Sequence, residues 1–116
     1  VMNKIRLIIN NDSKRNEKEK FFIKKELQSI LNLYAKMVSN GSWKDYSFTS
    51  GIKEVSFDVY QRASEKPVLR ILKNLKPRYF NEKYLIKDKN GAILKKSENL
   101  NQLISKTSWN KLKLVK

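Results

Sequence analysis

An apolar stripe with helical spacing is the clearest pattern along the chain. It runs between about Phe22 and Asn40, at intervals that place its members on one face of a helix. Those members are Ile23, Leu27, Ile30, Leu31, Tyr34, Met37 and Val38. Gly41 follows, and glycine readily takes the left-handed conformation that ends a helix. The pattern predicts a long first helix whose stripe packs on the core, with binding of a partner as the alternative.

Strand-like alternation dominates the middle of the chain. Within Lys53–Gln61, the apolar residues Val55, Phe57 and Val59 share one face of a strand, and polar residues and Tyr60 occupy the other. Four similar runs predict further strands at Asp45–Thr49, Pro67–Leu75, Lys83–Lys87 and Ala92–Lys96. The last two flank Asp88-Lys-Asn-Gly91, which has the composition of a hairpin turn with glycine at the position of positive φ.

The remaining segments complete an α+β prediction. A shorter helix is predicted from about Glu98 to Thr107, with Ser97 as its N-cap. Residues 3–9 resemble a short strand, residues 10–20 are wholly polar, and Lys111–Lys116 alternates as an edge strand or a tail would. We therefore expect a basic, polar N-terminal extension over 1–20 and a single α+β domain over 21–116. That domain would contain an antiparallel sheet of four to six strands, a long N-terminal helix and a shorter C-terminal helix.

The composition argues against several classes of function. The chain has no His, no Cys and only three Gly, so it lacks the usual proton shuttle, soft metal ligands and glycine-rich phosphate loops. We therefore expect no metal, no cofactor and no enzymatic activity. No apolar run approaches the roughly 18–20 residues that cross a bilayer, and Lys4–Ile9 is too short and too charged for a signal-peptide core. We expect a cytoplasmic protein without membrane association.

The charge is unevenly distributed along the chain. Residues 66–116 hold 14 basic against three acidic residues, a net +11 of the total +15, whereas residues 1–65 carry +4. A field of one sign attracts polyanions, and nucleic acid is the commonest polyanion in a cell. The alternative is codon bias, because Lys supplies 21 of the 26 basic residues and Lys, Asn and Ile share adenine- and thymine-rich codons.

Several segments resemble an uncharacterised bacterial family, known as domain of unknown function twenty-seven ninety-four. In chain order these are Trp43-Lys-Asp-Tyr46, Arg62-Ala-Ser-Glu-Lys-Pro67 with Arg70-Ile71, Gly91-Ala-Ile-Leu-Lys-Lys96 and Lys111-Leu-Lys-Leu-Val115. The resemblance covers roughly residues 21–116 and implies a bacterial protein, but it implies no activity. The family pattern is richer in Arg and has a His where this chain has Glu98.

The candidate binding residues are cations and aromatic side chains. We predict that Arg62, Arg70 and Arg78 clamp a nucleic-acid backbone while Tyr79 stacks on a base, with Lys76 adding charge. The alternatives are ordinary surface charge and ion pairs, either Arg62 with Glu65 or Arg70 with Asp58. The densest basic cluster in the terminal region is Lys95, Lys96, Lys111 and Lys113, which predicts either one basic face or a solvated edge.

Three further aromatic residues have two possible roles. Trp43, Tyr46 and Trp109 lie beside predicted helix ends, where large rings commonly close the edge of a core. We expect core lids, with a stacking platform for bases as the alternative.

These observations predict a non-catalytic protein that binds RNA, ribosomal RNA included, or single-stranded DNA. Binding would use mainly phosphate contacts and would depend strongly on salt. A duplex is disfavoured because the first helix carries only Lys24, Lys25 and Lys36 around Glu26, too few for a basic recognition helix. The alternative is a protein–protein adaptor or assembly subunit that presents the first helix or the sheet edge to an acidic partner. The sequence leaves the oligomeric state open.

Overall fold

A computed structural model describes residues 19–62 and 66–109 and confirms the α+β architecture. The elements are α1 (Lys24–Ser39), β1 (Asp45–Ser50), β2 (Glu54–Tyr60), β3 (Leu69–Asn74), a short 3-10 turn (Phe80–Glu82), β4 (Tyr84–Asp88), β5 (Ile93–Ser97) and α2 (Leu100–Lys106). Within the described residues the strands form one five-stranded antiparallel sheet, in which their order matches their order along the chain. The predicted strand over 3–9, most of the extension over 1–20 and the segment 111–116 lie outside the described residues.

Apolar side chains align across one face of the sheet. The strand register places Phe48, Phe57, Ile71 and Ile86 in one row across β1 to β4. Both helices contribute to the core cluster on this face, α1 through Ile30, Leu33 and Met37, and α2 through Leu100 and Leu103. Alternation along each strand therefore buries one apolar row, as the sequence predicts. The register between β4 and β5 shifts at Ile86 and Lys87.

Helix α1 is rotated relative to its predicted orientation. The residues it buries are Glu26, Ile30, Leu33 and Met37. Leu27 and Tyr34 pack at the margin of the core, whereas Ile23, Leu31 and Val38 are 40–43% exposed. The predicted stripe is wider than the surface that the sheet can cover, so one side of it remains in solvent. On the opposite side of the stripe, Glu26 is buried, and the polar groups that bind it hold the first turn of α1 against the sheet.

Local turn chemistry follows the sequence, with one correction. Gly41 and Gly91 have φ of 84° and 86°, as predicted for a helix end and a hairpin turn. The cap of α2 is Asn99 rather than Ser97, since Asn99 Oδ1 accepts a hydrogen bond from Gln102 N at 3.0 Å. Ser97 remains the last residue of β5, and its Oγ accepts a hydrogen bond from Asn99 N. Neither described helix has the length and apolar character needed to cross a membrane.

Candidate functional site

The loop that joins β3 to β4 presents two aromatic rings to solvent. Tyr79 is 60% exposed and Phe80 is 81% exposed. Its base is fixed, because Leu75 N donates to Lys53 O at 2.8 Å and Asn74 N donates to Lys83 O at 2.7 Å. The 3-10 turn closes its far side. A loop with a rigid base thus keeps its rings exposed instead of folding them onto the core.

Several basic residues lie in or next to the same loop. The loop carries Lys76, Arg78 and Lys83, and Lys53 lies beside its first residue. Glu82 is the acid of this loop, and it lies 3.8 Å from Lys96 Nζ on β5. Lys76 and Arg78 form no ion pair among the described residues. The loop therefore combines exposed rings with uncompensated positive charge.

Two grooves flank the loop at this end of the sheet. One has a volume of about 440 Å³ and is lined by Glu19, Lys20, Ser50, Gly51, Ile52, Leu75 and Lys76. The other has a volume of about 360 Å³ and is lined by Glu19, Lys73, Asn74, Leu75, Lys76, Pro77, Phe80 and Lys83. We call the second one the Lys73 groove. Both grooves are small enough to enclose a single small group rather than a folded partner.

A lysine is buried within the core beneath this end of the sheet. Lys73 belongs to β3 and pairs with Val55 and Tyr84, on the same face as Ile71. Its side chain is only 1% exposed. The Lys73 ammonium lies 2.8 Å from Glu26 Oε1, 2.6 Å from Glu19 Oε1 and 3.0 Å from Phe21 O. These acceptors match the three donors of an ammonium, which makes its burial tolerable.

Glu26 connects this lysine to helix α1 and to strand β4. Its Oε1 also accepts a hydrogen bond from Ile23 N at 2.7 Å, which satisfies one of the free N–H groups at the start of the helix. Its Oε2 accepts a hydrogen bond from the Tyr84 hydroxyl. Burial, the hydrogen bond to Glu26 and the negative charges of Glu26 and Glu19 all raise the pKa of Tyr84 above its ordinary value of 10.0. We call Glu26, Lys73 and Tyr84 the buried ionic cluster.

The structure does not bring the three predicted clamp arginines together. Arg70 lies in β3 on the second face of the sheet, where its Nε is 2.9 Å from Asp58 Oδ1. This is the predicted alternative ion pair, and it is confirmed. Arg62 follows β2 at the end of the sheet opposite to Lys76 and Arg78, because β2 and β3 are antiparallel. Glu65, the alternative partner of Arg62, lies outside the described residues.

Asp58 is the centre of a polar network on the second face. Its carboxylate also accepts hydrogen bonds from Thr49 Oγ1 at 2.6 Å and from Ser56 Oγ at 2.7 Å. Arg70 Nη2 donates in turn to Ser56 Oγ at 3.0 Å. The guanidinium is thus held in place by partners inside the protein.

The other predicted binding residues lie either at the end of the sheet that carries the β3–β4 loop, which we call the loop end, or outside the described residues. Lys76, Arg78 and Tyr79 share the β3–β4 loop. Lys95 and Lys96 are exposed near the end of β5 that pairs with the start of β4, so they approach the same end of the sheet. They point to opposite faces, because Lys95 pairs with Ile86 and Lys96 with Leu85. Lys111 and Lys113 lie outside the described residues.

The two tryptophans close the core, as predicted. Trp43 is 5% exposed, and its ring lies 5.8 Å from that of Trp109 in an edge-to-face contact. Trp109 Nε1 donates to Ile104 O at 2.9 Å, which satisfies its polar atom. Tyr46 is more exposed, but its ring packs 4.8 Å from Tyr34 and 5.3 Å from Phe57. These rings are engaged in packing, unlike Tyr79 and Phe80.

Sequence reasoning did not identify five residues of this region: Glu19, Glu26, Lys73, Phe80 and Lys83. A signal existed for Lys73, since alternation along β3 places it on the face of Ile71. A signal also existed for Glu26, which lies four residues before Ile30 on the buried side of α1. For the contact between the two residues the sequence contains no local signal. Among the described residues, no group of three or more His, Cys, Asp or Glu side chains could hold a metal ion.

The fold and this region define a class: a small α+β protein with an antiparallel meander, two helices on one face, and a basic, aromatic loop at one end of the sheet. Residues 20–104 match the family described as "Protein of unknown function (DUF2794)", and the chain belongs to that family. The family resemblance is thereby confirmed, although its last segment, Lys111–Val115, lies beyond the matched residues. Neither a curated protein nor a solved structure matches the chain.

Replacing Lys73 with Met should lower the free energy of unfolding by about 3–5 kcal/mol, because Glu26 would keep a buried charge without its cation. Adding Glu26→Gln to this variant should recover part of the loss, since the double variant has no unpaired buried charge. Urea unfolding followed by circular dichroism measures both values. Lys25→Met, at an exposed position of α1, is the matched control and should change stability by about 0.5 kcal/mol or less. A double variant less stable than Lys73→Met would contradict the role assigned to the pair.

Replacing Tyr84 with Phe should cost about 1–3 kcal/mol near neutral pH, because Glu26 loses a buried donor. The folded pKa of Tyr84 is raised, so its contribution to stability is fully present below the unfolded pKa of 10.0 and is lost as the pH rises beyond it. The difference in unfolding free energy between the wild type and Tyr84→Phe should therefore narrow above that pH. Urea titrations at several pH values provide the test, and a difference that stays constant would argue against it.

Proposed function

We propose that this protein is a non-catalytic, cytoplasmic nucleic-acid-binding protein of bacteria. It binds RNA, ribosomal RNA included, or single-stranded DNA at the loop end of the sheet. The observation that carries the proposal is the exposure of Tyr79 and Phe80 within a loop that also holds Lys76, Arg78 and Lys83. Exposed rings and positive charge are the two components of a surface that binds single strands.

The exposed rings supply the contact to bases. Tyr79 and Phe80 are neighbours in the chain and both exposed, and contiguous exposed apolar surface is the kind that commonly binds a ligand. Each base stacked on an aromatic ring contributes about 1–3 kcal/mol, with little dependence on sequence. Tyr79 and Phe80 are adjacent in the chain, so they suit one or two unpaired bases. In a duplex the bases are already stacked on one another, which is why we favour single strands.

The cations supply the contact to phosphates. Lys76 and Arg78 have no ion-pair partner among the described residues, and the charge of Glu82 is offset by Lys96. This part of the chain also belongs to the strongly basic region 66–116. Binding should therefore weaken steeply with salt, as counterions released from the strand compete for its phosphates. Arg70 is paired with Asp58 and Arg62 lies at the other end of the sheet, so the cations of the β3–β4 loop make the phosphate contacts.

Replacing Lys76 and Arg78 together with Gln should weaken binding to a single-stranded oligonucleotide tenfold or more, roughly 1.4 kcal/mol. The negative slope of log affinity against log salt should become shallower by about 1.4, because each lost phosphate contact contributes about 0.7 for a single strand. Replacing Tyr79 and Phe80 with Ser should weaken binding by about 1–3 kcal/mol per stacked base and leave the salt slope unchanged. Fluorescence anisotropy at several salt concentrations measures both quantities.

The matched control removes the same charge at the opposite end of the sheet. Lys44 and Arg62 are exposed there, and replacing both with Gln should change affinity by about twofold or less at moderate salt, since screening confines the effect of distant charges. If the control variant weakens binding as much as the loop variant, the nucleic acid is attracted by the overall charge of the protein and the loop is not the site.

The adaptor alternative retains one observation in its favour. Leu31 and Val38 are exposed apolar residues on α1, and Ile23, which caps the helix, is exposed as well. Lys24, Lys25 and Lys36 are exposed on the same helix. Such a surface suits an acidic partner with an apolar strip. On this alternative, protein purified from cells would keep a stoichiometric protein partner after nuclease treatment, and Leu31→Asp would release it. Complete loss of partners on nuclease treatment would support nucleic-acid binding instead.

A further inference from the structure

The three acceptors of the Lys73 ammonium differ in their exposure to solvent. Glu26 is 9% exposed and is fixed by Ile23 N and Tyr84, and Phe21 contributes a main-chain carbonyl at the base of α1. Glu19 is 45% exposed, although its Oε1 makes the shortest contact to Lys73, at 2.6 Å. Two acceptors therefore belong to the fold, whereas the third is a half-exposed surface side chain that another anion could replace.

Glu19 also lines the Lys73 groove, where it is surrounded by positive charge. Lysines at positions 73, 76 and 83 line the groove with it, and Glu19 is the one acid among the described residues of that lining. The Lys83 ammonium lies 5.5 Å from the centre of the Tyr84 ring, which places this cation over the buried ionic cluster. If the Glu19 carboxylate moved away, three lysines would face one small groove, and only the charge of Lys73 would still be balanced, by Glu26.

We infer that the Lys73 groove binds the terminal phosphate monoester of a nucleic-acid strand, and that the Glu19 carboxylate occupies the phosphate position when no strand is bound. This inference rests on the proposed function and specifies its ligand as a strand with a phosphorylated end. The incoming phosphate displaces Glu19 from Lys73 and takes its place as the third acceptor. Glu19 thus acts as a competitor within the protein, which lowers the apparent affinity of the groove for any anion that enters it.

The charge of a phosphate monoester suits this exchange. It carries about −1.5 to −2 at neutral pH and offers three strong acceptor oxygens, whereas a carboxylate carries a single negative charge. A phosphodiester within a strand also carries one negative charge, so it competes with Glu19 less well. Lys73, Lys76 and Lys83 together can balance the monoester and form charge-assisted hydrogen bonds with its oxygens.

The size of the groove also favours a strand end. A volume of about 360 Å³ is at the lower limit for small-ligand sites, so it can hold a phosphate and part of one nucleotide. Phe80 lines the groove and is exposed, so the terminal base can stack on it while its phosphate reaches toward Lys73.

The test compares uridine oligonucleotides of about ten nucleotides that carry a 5′-phosphate, a 3′-phosphate or two hydroxyl ends. The wild-type protein should bind one of the phosphorylated strands tenfold or more tightly than the hydroxyl strand. Glu19→Gln should widen this ratio, because the competing carboxylate is gone. Glu54→Gln removes the same charge from an exposed position at the same end of the sheet, so it should strengthen binding to all strands equally.

The outcomes separate this inference from the function on which it rests. If all three strands bind equally to the wild type and to Glu19→Gln, yet still depend on salt and on Lys76 and Arg78, the terminal-phosphate site is wrong and nucleic-acid binding stands. If no strand binds, the proposed function itself fails. Uridine monophosphate alone should bind much more weakly than the phosphorylated strand, since it lacks the other backbone contacts. Equal affinity would make the groove a mononucleotide site and overturn the inference.

Discussion

A lysine buried in an apolar core requires acceptors for all of its donors, and this requirement organises one end of the molecule. Lys73 obtains one acceptor from Glu26, and the same carboxylate caps the start of α1 and binds Tyr84. A single side chain thereby joins the first helix to two adjacent strands. Removing two ions from water costs several kcal/mol each, so such a pair is tolerated only with nearly complete hydrogen bonding. The path of residues 19–23 and the wall of the Lys73 groove both follow from that requirement.

The candidate surface lies at the end of the sheet rather than on either of its faces. One face is covered by α1 and α2, which bury its apolar row. On the other face Arg70 is neutralised by Asp58 and by the hydroxyl groups around it. Lys76 and Arg78, which form no ion pair among the described residues, lie on the β3–β4 loop together with the most exposed aromatic rings. The core and the polar network thus leave the β3–β4 loop as the place where charge and rings coincide.

The sequence was sufficient for features that depend on near neighbours. Alternation located all five strands to within about two residues, and Gly41 and Gly91 marked a helix end and a turn because few other residues adopt positive φ. The rotation of α1 could not be predicted, since it depends on a contact between Glu26 and Lys73, which are 47 positions apart. The same reason explains why the sequence grouped three arginines into one clamp that the fold does not assemble. Charge alone could not show that Arg70 faces Asp58 or that β2 and β3 separate Arg62 from Arg78.

The order of the strands also has a consequence for how the chain folds. Each strand pairs with the next one along the sequence, so the meander can grow hairpin by hairpin, with little loop-closure entropy at each step. Docking of α1 closes a much longer loop, because it brings Glu26 to Lys73. Local pairing therefore favours a sheet that forms before the helix covers it. In that order of events the lysine remains hydrated until its acceptors arrive, and the folding chain avoids a state with a dehydrated, unpaired charge.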